Sequence, residues 1–212
     1  MAMDATALAE EIKEAIGQSP EPTSKKNKEM AKDIVNHLKT AIVNHAIPGS
    51  VTGTAGAPGG PLANGAATGG VITLVPADLI GRFVATFGIS TPEIIGMATA
   101  ITTHVMTGLV EFASGTITGT CTHTPLNPGP LVGGAGSGGE ITGLEGSTLA
   151  TLMASLMAKP GASEELEKMC TAIVDHISSN AEVTYTSGTV TATCPAGGGP
   201  IAAGIAAVGT IS

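Results

Sequence analysis

Met30-Ala-Lys-Asp-Ile-Val-Asn-His37, Met97-Ala-Thr-Ala-Ile-Thr-Thr-His104 and Met169-Cys-Thr-Ala-Ile-Val-Asp-His176 keep one Met-to-His spacing. Each is followed by a threonine-rich run: Ser50-Val-Thr-Gly-Thr-Ala55, Thr116-Ile-Thr-Gly-Thr-Cys121 and Thr189-Val-Thr-Ala-Thr-Cys194. Each then reaches a glycine segment, Pro61 to Thr73, Pro130 to Thr142 and Pro200 to Ser212, and these three align without a gap. A triplication with a period of roughly 70 residues accounts for the whole chain. It divides the sequence into 1–73, 74–143 and 144–212. Each third alone is small for an independent core, so the three are expected to pack on one another.

The first segment of each third reads as an amphipathic helix. Leu8, Ile12 and Ile16 match Leu79, Phe83 and Phe87, and Leu149, Met153 and Met157. A spacing of four puts each set on one helix face. Gly17 and Gly88 suit left-handed C-caps, and Lys159-Pro160-Gly161 stops the third helix. A second helix follows, opened by Thr91-Pro92-Glu93 or Ser163-Glu164-Glu165. In the first third its start falls at Thr23-Ser24, which leaves residues 18–26 as a loop. The runs Val110 to Cys121 and Val183 to Cys194 alternate with period two and carry a central Ser-Gly, the mark of a β-hairpin. A Gly/Pro loop and a short third strand (Val71-Ile72-Thr73, Glu140-Ile141-Thr142, Thr210-Ile211-Ser212) close each unit. The expected class is α+β: three tandem repeats of two helices, a hairpin, a loop and a strand, about a pseudo-threefold axis or in a row. Matched glycines, Gly65, Gly134 and Gly204, and Gly70, Gly139 and Gly209, fit turns or close backbone approach.

Charged residues make up 12% of the chain and aromatic residues 2%, against about 25% charged in an average soluble protein. So apolar a chain is expected to bury surface between subunits, as a homo-oligomer or with other proteins. A net charge of −8 argues against a nucleic-acid partner. The lysines at 25, 26 and 28 read as a solvated helix start. The N-terminus is acidic and has no apolar signal region. The most apolar stretch, Ile94 to Val110, is short for a membrane span. Synthesis in a cytoplasm and no membrane partner follow as expectations.

His37, His104 and His176 are the sharpest candidate for chemistry. Convergence on a threefold axis would give three imidazole ligands for a metal; helix-end or core roles are the alternative. Cys121, Cys194 and Cys170 read either as reduced buried thiols or as partners in disulfides between subunits. His45 stands where the other thirds carry Phe112 and Tyr185, which indicates a site for a flat ring. His123 stands alone in a loop, two residues from Cys121, without an acid to orient it. No catalytic set and no cofactor site is read from these residues.

A helix ending in His, a Thr-rich β segment and a glycine segment ending in Gly-x-Ile-Thr resemble the style of small virion proteins of tailed bacteriophages. That resemblance implies a non-enzymatic structural component of the tail, baseplate, neck or capsid surface. Its partners would be other virion structural proteins, and its final location the virion. The alternative is a decoration module that contacts glycans or a host surface through glycine-rich loops.

Overall fold

The computed structural model describes residues 3–17 and 21–212. The chain is mixed α+β, with six helices and a closed antiparallel β-barrel of six strand positions among the described residues. It separates into two compact units, each assembled from three segments: residues 1–41, 73–108 and 143–181 form one, and 42–72, 109–142 and 182–212 the other.

The first unit holds α1 (Ala5–Ile16), α2 (Glu21–Leu38), α3 (Pro76–Phe87), α4 (Pro92–Val105), α5 (Gly146–Leu156) and α6 (Glu164–Asn180). Consecutive helices pack together and α6 returns to α1, which closes a ring. Leu8, Ile12, Leu79, Phe83, Leu149 and Met153 are buried, as are Ile34, Ile101 and Ile173 on the second helices. Asp4, Thr91 and Ser163 accept backbone N–H bonds at their helix starts, and Gly88 takes the left-handed cap at φ 71°. Thin residues let backbones approach. A Cβ on Gly96 would stand 2.6 Å from the Leu156 carbonyl oxygen.

Two boundaries differ from the sequence reading. Helix α2 starts at Glu21, so residues 21–26 are helical, and only 18–20 of the expected loop fall outside the described residues. Pro22 explains the shift, because a proline in the first turn gives up an N–H that the helix would leave unbonded. Helix α5 ends at Leu156, before Lys159-Pro160-Gly161, and Ala158 turns the chain at φ 55°.

The second unit holds β1 (Ile42–His45), β2 (Val51–Ala55), β3 (Leu62–Thr73), β4 (Leu109–Cys121), β5 (Gly129–Thr142), β6 (Val183–Cys194), β7 (Gly199–Pro200) and β8 (Ala202–Ile211). Strands β1 and β2 share one position. From there the ladder runs through β3, β4, β5, β6 and β8 and back to β1 and β2.

The expected hairpins are absent. Val110 to Cys121 is one continuous strand, and so is Val183 to Cys194. Ser114-Gly115 and Ser187-Gly188 are bulges, with both glycines at φ 90°. Six residue steps along β4 (Glu111 to Ile117) span four along β5 (Gly136 to Glu140), and β6 shows the same offset against β8. Thr116 and Thr189 hydroxyls donate across these bulges to the Ala113 and Thr186 carbonyls, both at 2.7 Å. A bulge adds the bend and twist that barrel closure requires. In β1–β2 the corresponding stretch, residues 46–50, leaves the ladder. The glycine segments are likewise mostly strand, of 12, 14 and 10 residues, so the loops shrink to 56–61, 122–128 and 195–198.

The matched glycines explain the narrow bore. A Cβ on Gly65, Gly134 or Gly204 would collide with the carbonyl of Ile117, Val190 or Val51 on the neighbouring strand. Gly70, Gly139 and Gly209 each lie against a ring, of His45, Phe112 and Tyr185 respectively. The three rings meet inside the barrel. His45 stands 5.8 Å from Phe112 and 5.7 Å from Tyr185, centroid to centroid, and Phe112 stands 5.3 Å from Tyr185.

Candidate functional site

Strands β4 and β6 flank β5 and end side by side. Cys121 pairs with Leu131, and Cys194 with Gly129. Both cysteines are fully buried and form a disulfide within the chain. For Cys121 and Cys194 this corrects the expectation of reduced thiols or bonds between subunits. The register of β5 brings residues 73 apart in sequence to a Cα–Cα distance of 5.7 Å, inside the usual range for a disulfide. Cys170 is a free, buried thiol on α6, and burial pushes its pKa up to about 12, so it is held as the thiol.

His123 joins this pair. It is 1% exposed, and neither ring nitrogen has a hydrogen-bond partner. A ring nitrogen and the two sulfurs lie within 4.8 Å of one another. The loop that carries it is tied down. Thr122 donates twice to the Pro130 carbonyl, Asn127 donates to the Thr124 hydroxyl at 2.9 Å, and Gly197 donates to the Thr124 carbonyl at 3.1 Å. Gly129 permits this path, because a Cβ there would sit 2.5 Å from the His123 backbone nitrogen. The spacing Cys121-x-His123 was visible in the sequence. Cys194 as the third member was not, because the barrel register delivers it.

His37, His104 and His176 take separate partners rather than meeting as a ligand set. Each reaches the helix that follows its own around the ring. His37 Nδ1 meets Asp78 Oδ2 at 2.9 Å, His104 Nε2 accepts from the Glu145 backbone N–H at 3.2 Å, and His176 Nδ1 meets Glu11 Oε2 at 2.9 Å. They latch helices together, which the repeat spacing foreshadowed as helix-end positions. Burial lowers the pKa of His37 against the opposing pull of Asp78, and burial lowers that of His104 too. Arg82, then His37, hold Asp78 below the ordinary carboxylate range.

Thr102 completes a chain that sequence spacing did not reveal, since its members lie on α2, α3 and α4. His37 Nε2 stands 3.0 Å from Thr102 Oγ1, opposite Asp78. The order hydroxyl, imidazole, carboxylate is that of a hydrolase triad. Here Thr102 and His37 are both 0% exposed, and the hydroxyl also lies 3.0 Å from the Ala98 carbonyl, to which it donates. No acyl group can reach such an oxygen, so the chain serves to join helices.

His45 is satisfied inside the barrel. The Val110 carbonyl accepts from Nε2–H at 3.0 Å, which leaves Nδ1 to accept from the Tyr185 hydroxyl at 2.7 Å. Burial lowers the His45 pKa and raises that of Tyr185. The sequence reading of a flat-ring packing position holds for all three residues. A shallow groove between α1 and α6 is lined by Glu11, Glu14, Glu164, Glu167 and Asp175 against Lys168; its charge disfavours anionic ligands.

Among the described residues, no helix is long and apolar enough to cross a membrane. The chain thus defines a barrel-plus-helix α+β class with a Cys-His-Cys cluster at one barrel end. Comparison with protein-family models, with curated proteins and with solved structures returns no match.

Proposed function

We propose that the protein is a non-enzymatic structural component of a tailed-phage particle, in the tail, baseplate, neck or capsid surface, which assembles with other subunits. Internal triplication supports this reading: three equivalent thirds, 1–73, 74–143 and 144–212, would give a pseudo-threefold part suited to a ring. The observation that carries it is the apolar surface. Val208 is 60% exposed although its backbone holds φ 59°, a conformation that disfavours β-branched residues. Keeping valine there costs stability in the lone chain, and a contact with another subunit would offset that cost. Leu126 and Ile47 are 87% and 70% exposed, and Val71 and Leu109 are exposed opposite one another across β3 and β4. Among the described residues the six-position ladder closes on itself and only the two-residue β7 ends the strand order, so contacts with other subunits would run mainly through side-chain faces.

Light scattering over a concentration series should give a mass above that of one chain. The coding sequences beside this one should specify capsid, tube or sheath proteins. A strict monomer whose neighbouring genes encode metabolic enzymes would overturn the proposal. The decoration-module alternative loses most of its loops, because the glycine segments lie in β3, β5 and β8.

A further inference from the structure

A buried imidazole with two orphaned nitrogens is costly, since each unpaired polar group forfeits its bonds to water. His123 carries that cost beside the Cys121–Cys194 disulfide. Two sulfurs and one imidazole nitrogen are the donor set that soft d10 cations prefer. The three atoms already lie within 4.8 Å of one another. The cluster also breaks the internal repetition. The first third carries Ala55, buried, where the others carry Cys121 and Cys194. Repetition of the fold alone therefore does not require these side chains.

We propose that, once the disulfide is reduced, Cys121, Cys194 and His123 form a buried site for a soft d10 cation, zinc or copper(I). The two closures of the barrel end exclude one another, because a sulfur bonded to its partner cannot act as a thiolate ligand. A dithiol reductant supplies two electrons and two protons. The S–S bond breaks, two thiols form, and the reductant leaves as its cyclic disulfide. On binding, the two thiols release their protons and the His123 ring nitrogen donates its lone pair. Three protein ligands complete a trigonal copper(I) set, or leave one position of a zinc tetrahedron for water. This inference goes beyond the structural role proposed above and does not depend on it.

The test uses the full chain, reduced without oxygen and freed of reductant. Cobalt(II) serves as the coloured probe, and its displacement by zinc or copper(I) follows. The reduced protein should bind one cobalt per chain with thiolate-to-cobalt charge-transfer absorption, and the oxidised protein none. Losing a residue that merely orients a ligand costs about 10- to 100-fold in affinity. H123Q, which removes a ligand itself, should therefore weaken binding by at least about tenfold. C194A should abolish the charge-transfer band; should C194A fail to fold, H123Q alone decides. Preferential displacement by zinc or by copper(I) assigns the ion, and either result upholds the site. Absence of saturable uptake by the reduced chain, equal uptake by the oxidised chain, or uptake indifferent to H123Q overturns it.

Discussion

Val208 holds φ 59° at a position where the other two glycine segments carry Gly69 and Gly138, both at φ 72°. Its N–H donates to the Asn44 side-chain oxygen at 3.0 Å, which fixes the conformation without removing the steric conflict of a β-branched residue. Left-handed backbone costs an ordinary residue about 1–2 kcal/mol. Since Val208 buries little, V208G should raise the free energy of unfolding by roughly 1 kcal/mol, after the entropy glycine adds to the unfolded chain. Urea unfolding of the two proteins checks this, and an unchanged or lower midpoint contradicts it. The buried histidines make a second prediction at this scale. The pKa values of His37, His45 and His104 are lowered from 6.5 in the folded chain. Below pH 6.5 the unfolded chain therefore binds protons that the folded chain refuses. Stability is present above that pH and is lost as pH falls toward the folded values, by up to about 1.4 kcal/mol per pH unit for each histidine. H45F, which installs the ring found at the matched position, should flatten the slope of stability against pH between 6.5 and 5 by up to one proton's worth.

At the scale of the element, the period-two runs were legible as strand, but their connectivity was not. Ser114-Gly115 carries the local chemistry of a hairpin turn, and a sequence cannot distinguish such a turn from a bulge that bends one strand. The difference is settled by what lies alongside: β5 pairs with β4 on both sides of the bulge. The helices were more readable. Thr91 and Ser163 start α4 and α6 as their side-chain chemistry requires, whereas α2 begins ahead of the hydroxyls that pointed to its start. Gly115 should be sensitive because its φ of 90° suits glycine alone. G115A should destabilise the chain by roughly 1 kcal/mol or more, measured by denaturant unfolding. The equivalent substitution at Ser114 should cost little, and equal costs at the two positions would refute the assignment of a bulge.

At the scale of the molecule, the chain passes between its two compact units five times, at residues 41–42, 72–73, 108–109, 142–143 and 181–182. The Cys121–Cys194 disulfide closes a loop of sequence separation 73. Chain-entropy estimates give a crosslink of that span about 4 kcal/mol. Reduction should lower the thermal midpoint of unfolding, C121A should match the reduced protein, and a midpoint indifferent to reductant would show the crosslink to be energetically idle.

The sequence by itself determined the α+β class, the six helices, the buried faces and the stations of the flat rings, because helical and strand periodicities are local and survive in one dimension. It also marked the glycines where backbones approach. Closure of the barrel, the disulfide, the burial of His123 and the separate partners of the three helix histidines were decided only in three dimensions. Each depends on register between strands, or on neighbouring helices, far apart in the chain. A shift of one residue in that pairing would carry the same side chains to the opposite face.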